Sequence, residues 1–235
     1  MKKFTTYIPN TITCGNLFCG CIATYAGFSG EYAGGVTFIL LAGLFDFFDG
    51  FAARFLHAYS PIGKELDSLA DIISFGMAPA AMVYSVLSDS LPAEWYFLSY
   101  SAFLITLFSA LRLAKFNIDD RQRSTFIGLP VPANAIFWAS FVFTSSSLFA
   151  VIYWEIFLLL IVLFCFLLVS NLPMFSLKMK NYSWAENRQR YSFLILSVLL
   201  VGLSGFNYDA FYGSFSIVIC LYILFSLYNY IVARR

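Results

Sequence analysis

Apolar residues run through this chain in eight long stretches, at about 8–29, 33–55, 66–88, 95–113, 129–150, 153–172, 191–207 and 211–231. A helix needs about 20 consecutive apolar residues to cross the hydrocarbon core of a bilayer. Short polar turns such as Gly30-Glu31 and Leu91-Pro92 separate some of the stretches, as expected between the arms of helical hairpins. The pattern predicts an all-α, polytopic transmembrane helical bundle of about eight spans. With no internal repeat and no low-complexity tract, it reads as one integral membrane domain covering residues 1–235.

Composition strengthens this reading. Of 235 residues, 60% are hydrophobic and 11% charged, and 28 are Phe. A soluble domain carries about 25% charged residues. The net charge of +1 says nothing about partners, and nothing implies a nucleic-acid partner. The distribution of charge is more telling. With eight spans, all 14 Lys and Arg residues fall on one side, while Glu31, Asp89, Glu94, Glu155 and Asp209 fall on the other. The positive-inside rule then places both termini in the cytoplasm. The run after Lys2 and Lys3 lacks a clear cleavage site and reads as a first span that stays. The five cysteines lie in apolar runs and imply no disulfide framework.

Against this background the stretch DFFDGFAARFLHAYSPIGKELDSLAD places Asp46, Asp49, Asp67 and Asp71 at the cytoplasmic ends of spans two and three. Ionisable groups in membrane segments are costly, which makes them functional candidates. At about 100° per residue, Asp49, Gly50, Ala53 and Arg54 fall near roughly −60°, +40°, −20° and +80° of Asp46, on one broad face. Gly63 and Asp71 lie within about 40° of Asp67 on the next helix. Two acidic faces converging at one depth would repel unless cations sat between them, and a pair of divalent ions with oxygen ligands is the simplest filling. Arg54 offers a fork suited to phosphate. His57, the single histidine, reads either as a general base or as a solvated interface side chain. Ser60 reads as a phosphate contact or a turn residue. Further along, a proline kink is expected near Pro79, a charged loop over Ile118 to Ser124, and a basic linker over residues 173–190.

The signature Asp46-x2-Asp49-Gly50-x2-Ala53-Arg54-x8-Gly63-x3-Asp67-x3-Asp71 resembles that of the CDP-alcohol phosphatidyltransferase family at all eight specified positions. Further phrases resemble the membrane-integral phosphatidylserine synthases within that family. They are Ile8-Pro9-Asn10 with Asn16-Leu17-Phe18, Gly63 to Asp71, Ser74-Phe75-Gly76, Arg112-Leu113-Ala114 with Phe116-Asn117, and Gly128-Leu129-Pro130. The resemblance covers about residues 7–132, which would form the catalytic part, with additional helices over about 133–235.

The resemblance implies transfer of the phosphatidyl group from CDP-diacylglycerol to the hydroxyl of L-serine, giving phosphatidylserine and CMP, at two divalent cations, Mg2+ or Mn2+. Carried over by position, Asp46 and Asp67 would be ligands of both ions, Asp49 of the first and Asp71 of the second. Asp71 would also be the catalytic general base. Pro9, Asn10, Thr11, Gly50, Ala53, Arg54 and Ser60 would hold CDP-diacylglycerol. Arg112 is expected to take the serine carboxylate, and Asn117 to orient the acceptor. The family further implies a homodimer in the cytoplasmic membrane, with its site on the cytoplasmic side. Two rivals stand beside this reading. One is the same chemistry on glycerol 3-phosphate or an inositol phosphate. The other is a cation transporter, disfavoured because the second half carries no acids at matching depth.

Overall fold

The computed structural model describes residues 2–119, 126–148, 153–175 and 183–233. Helix α1 (Lys2–Phe28) is followed by α2 (Tyr32–Phe55), which returns antiparallel through a turn at Gly30. Helix α3 (Pro61–Asp71) starts at Ser60, whose Oγ accepts the Gly63 N–H at 3.0 Å, with Pro61 in the first turn. This is the usual arrangement of an N-cap with a following proline. The rod continues through a π-helical turn, Ile72–Met77, into α4 (Ala78–Ser90). A 3-10 segment, Ala93–Ala102, leads into α5 (Phe103–Ile118). Helices α6 (Val131–Leu148), α7 (Trp154–Val169), α8 (Trp184–Ser204) and α9 (Tyr208–Ala233) complete the described chain.

The fold is all-α, and the helical rods fall on the eight predicted apolar stretches. Among the described residues four of them, Tyr32–Phe55, Pro61–Ser90, Ala93–Ile118 and Tyr208–Val232, are long and apolar enough to cross a membrane, and α7 is a shorter apolar helix. Large apolar side chains cover the outside, among them Phe18, Phe47, Leu159, Val162 and Leu203. A soluble monomer does not expose so much apolar surface.

The rod Pro61–Ser90 is the centre of the bundle. Every residue from Ala78 to Val83 is buried. Helix α1 packs along α2 and crosses this rod through glycines. A Cβ on Gly20 would collide with Ser74 Oγ, and one on Gly27 would lie 2.9 Å from the Met82 backbone nitrogen. Small residues let membrane helices approach this closely. Around the rod and its buried Phe75 lies a core of Val36, Ile39, Ile105, Trp138 and Phe164, with Phe137 and Phe164 stacked at 4.0 Å.

Three local features differ from the expected pattern. A kink was expected at Pro79, but the irregularity precedes it as the π turn, where the Ala78 N–H reaches back to Ile73 O. Pro79 has no N–H to give to its own preceding turn, so the ladder widens before it; Thr106 Oγ1 bonds Gly76 O at 3.1 Å from α5. The expected linker 173–190 is shorter, because α8 already begins at Trp184, with non-helical angles at Asn187. Finally, the entry to α6 forms a two-residue strand, β1 (Phe126–Ile127), antiparallel to β2 (Pro173–Met174). Gly128 then turns at φ +75, where a Cβ would meet Leu168 O at 2.5 Å. Residues 176–182 of the basic linker and residues 120–125 of the charged loop after α5 lie outside the described residues.

Candidate active site

The end of α2 and the beginning of the α3 rod meet at one end of the bundle, against the first half of α1. There one oxygen from each of Asp46, Asp49 and Asp67 lies within 4.8 Å of the others. The helical spacing explains this: residues three apart on α2 share a face, and α3 supplies the third carboxylate from across the turn. Thr13 on α1 donates its hydroxyl to Asp49 Oδ2 at 2.6 Å and also contacts Pro9 O at 3.1 Å. Asp71, one turn past Asp67, stands apart from the triad. Its Oδ1 accepts the Asn16 Nδ2 hydrogen bond at 3.3 Å.

The triad opens onto a cavity of about 230 Å3. Its walls are Pro9, Asn10 and Thr13 of α1, the acids with Gly50 and Ala53 of α2, the turn residues Ala58, Tyr59 and Ser60, and Gly63, Lys64 and Asp67 of α3. Gly63 is there for close approach. A Cβ would lie 2.8 Å from Asn10 Oδ1 and 2.9 Å from Ser60 Oγ. Gly50 has nothing within 4 Å of where its Cβ would stand, so its missing side chain leaves open space in the wall. Ser60 both caps α3 and lines the cavity.

The donor set suits a hard cation. Three carboxylates supply only oxygens, and like charges at such spacing repel by a few kcal/mol unless a positive charge lies between them. The described residues thus include an acidic triad fit to hold a metal ion.

A second cavity, of about 340 Å3, lies between α5, the end of α7 and the β1 strap. It is lined by Arg112, Lys115, Ile118, Asp119, Ile127 and Leu168 to Asn171. Arg112 is 5% exposed, its guanidinium lies 4.9 Å from the Phe116 ring, and its Nε and Nη2 have no hydrogen-bond partner among the described residues. Lys115 Nζ bonds Val169 O at 3.3 Å and ties α5 to α7. Asn117 Nδ2 donates to Ser68 Oγ at 3.0 Å, linking α5 to the α3 turn that carries Asp67.

The sequence-derived candidates divide accordingly. Pro9, Asn10, Asp46, Asp49, Gly50, Ala53, Ser60 and Asp67 meet around the acidic cavity. Asp71 is buried beside Asn16. Thr11 and Arg54 are exposed and do not line it; the Thr11 hydroxyl bonds Tyr7 O. Arg112 lines the second cavity, and Asn117 bridges toward α3. Thr13, which closes the Pro9-Asn10-x-x-Thr13 pattern expected to bind the nucleotide, does line the cavity, while Asn16 and Lys64 were not singled out for the site. Pro9, Thr13, Asn16 and Gly20 follow one another by four, three and four residues, a helical stripe that points at the acids.

Residues 6–184 match the family model described as CDP-alcohol phosphatidyltransferase. The chain belongs to the CDP-alcohol phosphatidyltransferase family. It is similar to a CDP-diacylglycerol–serine O-phosphatidyltransferase of Bacillus subtilis (strain 168), 43% identical over 126 residues, which are 54% of this chain and 70% of the relative. An archaetidylserine synthase of Methanothermobacter thermautotrophicus is 35% identical over 150 residues, 61% of each chain. A CDP-diacylglycerol–serine O-phosphatidyltransferase of Helicobacter pylori (strain ATCC 700392 / 26695) is 33% identical over 130 residues, 54% of each chain. The match to the last two thus spans less than two thirds of their length. All eight signature positions of the family lie inside the matched region, and they supply every carboxylate of the triad.

Proposed function

We propose that this chain transfers the phosphatidyl group from CDP-diacylglycerol to L-serine, releasing CMP. The observation that carries the reading is the convergence of Asp46, Asp49 and Asp67 on a cavity whose remaining walls are the small and polar residues Pro9, Asn10, Gly50, Ala53 and Ser60. Serine as acceptor follows from the relatives, two of which carry that amino acid's transferase name. The second cavity supports it too. A buried guanidinium with two unpaired nitrogens suits a carboxylate.

In this reading the nucleotide pyrophosphate lies against the triad, with Gly50 and Ala53 leaving room for it. Two divalent cations, Mg2+ or Mn2+, held by Asp46, Asp49, Asp67 and Asp71, would supply neutralisation of its charge. Arg112 orients the acceptor by its carboxylate, and Asn117 holds the α5–α3 junction beside it. Asp71 takes the proton of the acceptor hydroxyl. A bond forms between that oxygen and the phosphorus bearing the diacylglycerol, the bond from that phosphorus to the bridging oxygen breaks, and the electron pair leaves with CMP. The protein works as a homodimer in the cytoplasmic membrane, with the cavities facing the cytoplasm, where CMP and serine are soluble and the lipid phosphates lie near headgroup depth.

The test is CMP release from CDP-diacylglycerol by purified protein, with serine, glycerol 3-phosphate or inositol phosphate in turn. Phosphatidylserine formed only with serine and a divalent cation supports the reading. A phosphatidyl product with a phosphorylated acceptor instead rejects the acceptor assignment, and no CMP with any of them rejects the chemistry.

A further inference from the structure

We propose that Asn16 is the positioning residue of Asp71, fixing the angle at which its carboxylate meets the acceptor hydroxyl; this rests on the reading of Asp71 as proton acceptor. Asn16 is completely buried, midway along α1, and its Nδ2 donates to Asp71 Oδ1 at 3.3 Å. A carboxylate turns freely about its last torsion unless a neighbour fixes it, and proton transfer needs the accepting oxygen aimed within hydrogen-bond reach. A neutral amide fixes the orientation without neutralising the base, as a lysine in the same place would.

Packing does not require the amide. The helix is already pinned here by two other contacts. Ser74 Oγ donates to the Asn16 main-chain oxygen at 3.0 Å, and Gly20 sits against Ser74 one turn further along. The Asn16 side-chain oxygen has no partner among the described residues. A buried amide with half of its capacity unused carries a desolvation cost that an apolar residue of similar size avoids. The one thing an apolar residue could not supply is the hydrogen bond to Asp71. The position also belongs to Asn16-Leu17-Phe18, a phrase that the pyrophosphate site leaves without a role.

The experiment is CMP release by full-length protein in detergent with CDP-diacylglycerol, L-serine and Mg2+. Asn16→Leu is expected to lower kcat by about tenfold to a hundredfold, within the range of general-base contributions. The KM of both substrates should stay within about twofold, as for a group acting only on the chemical step. Stabilisation against heating by CDP with Mg2+ should be retained. Ser74→Ala, which loosens the helix contact alone, should keep kcat within about twofold of wild type. In the Asp71→Asn background, adding Asn16→Leu should change the residual rate by less than about twofold, because the two act as one unit.

Unchanged kcat in Asn16→Leu with a crippled Asp71→Asn overturns this inference alone. Loss of the CDP-dependent stabilisation, or a kcat loss equalled by Ser74→Ala, overturns it in favour of helix packing. A wild-type rate in Asp71→Asn overturns the reading of the base and the inference with it. If the Asp71→Asn rate is too low to compare, the split between kcat and KM in Asn16→Leu decides.

Discussion

The two polar cavities of this molecule are built in opposite ways. The acidic one is assembled from residues 9 to 67, on three helices that follow each other in the chain and are joined by short turns. The basic one needs residue 112 to meet residue 171, across two helices and a crossing strap. In the first, carboxylates crowd together with glycine and alanine beside them. In the second, one guanidinium is buried without a full set of partners. A cluster of like charges and an underpaired buried charge are both costly in the folded protein unless a ligand completes them. On the proposed function each cavity is matched in charge to what it would receive: cations with a pyrophosphate in one, an acceptor's anionic end in the other. One hydrogen bond links their helices: Asn117 of α5, which carries Arg112, donates to Ser68 of α3, next to Asp67.

The most severe way to break this pairing is to remove a carboxylate from the triad. Asp67→Ala should lower CMP formation by about a thousandfold or more, since the ligands act as a unit. A chelator should do the same to the wild type, and excess Mg2+ should restore it. A residual rate above a tenth of wild type, insensitive to chelator, would remove the metal from the account.

Arg112→Met tests the other cavity. The serine KM should rise by about tenfold to a hundredfold, the worth of a hydrogen-bonded charge pair. The CDP-diacylglycerol KM should not move. Thermal stability should hold or rise, because an incompletely paired buried charge gives way to an apolar chain of similar length. A lower melting temperature with both KM values raised together would make Arg112 a structural residue and dissolve the division of labour between the cavities.

The two glycines of the acidic cavity sharpen its geometry. Gly63→Ala forces a methyl against Asn10 and Ser60 and should raise the CDP-diacylglycerol KM by about tenfold, a loss of about 1.4 kcal/mol. Gly50→Ala meets no protein atom and should cost less, through lost cavity volume alone. Melting curves separate the two, since only Gly63→Ala displaces protein atoms. Equal losses of stability would refute the distinction.

How much of this could be read beforehand follows from the same contrast. The acidic cavity depends on local helical spacing, and Asp46, Asp49, Gly50 and Ala53 announce their shared face directly. The apolar runs likewise announce the helices, because bilayer thickness sets their length. Thr13 and Asn16 were less legible. Their stripe on α1 shows in the spacing, but a threonine and an asparagine on a membrane helix also suit simple helix packing, and only the crossing of α1 over α3 decides. The β1–β2 strap and the walls that Ser170 and Asn171 give the second cavity were not legible at all. They arise from the meeting of two loop ends more than 40 residues apart, and no periodicity encodes that. The π turn replaced the expected proline kink for a similar reason: sequence marks Pro79, while the hydroxyl of Thr106 on a neighbouring helix satisfies a carbonyl within the widened ladder.

The smallest effect is expected just outside both cavities, at His57. It follows the C-terminus of α2 with φ 50, the left-handed region. The His57 N–H reaches Arg54 O at 3.3 Å and the Ala58 N–H reaches Ala53 O at 2.9 Å, which closes the helix in a Schellman motif. A histidine in this conformation carries backbone strain that glycine lacks. Its side chain is exposed and lines neither cavity. His57→Gly should therefore stabilise the protein by up to about 1 kcal/mol, seen as a small rise in melting temperature, with CMP release unchanged. A tenfold fall in kcat in a protein that still melts as the wild type would instead return the proton-transfer role to the single histidine.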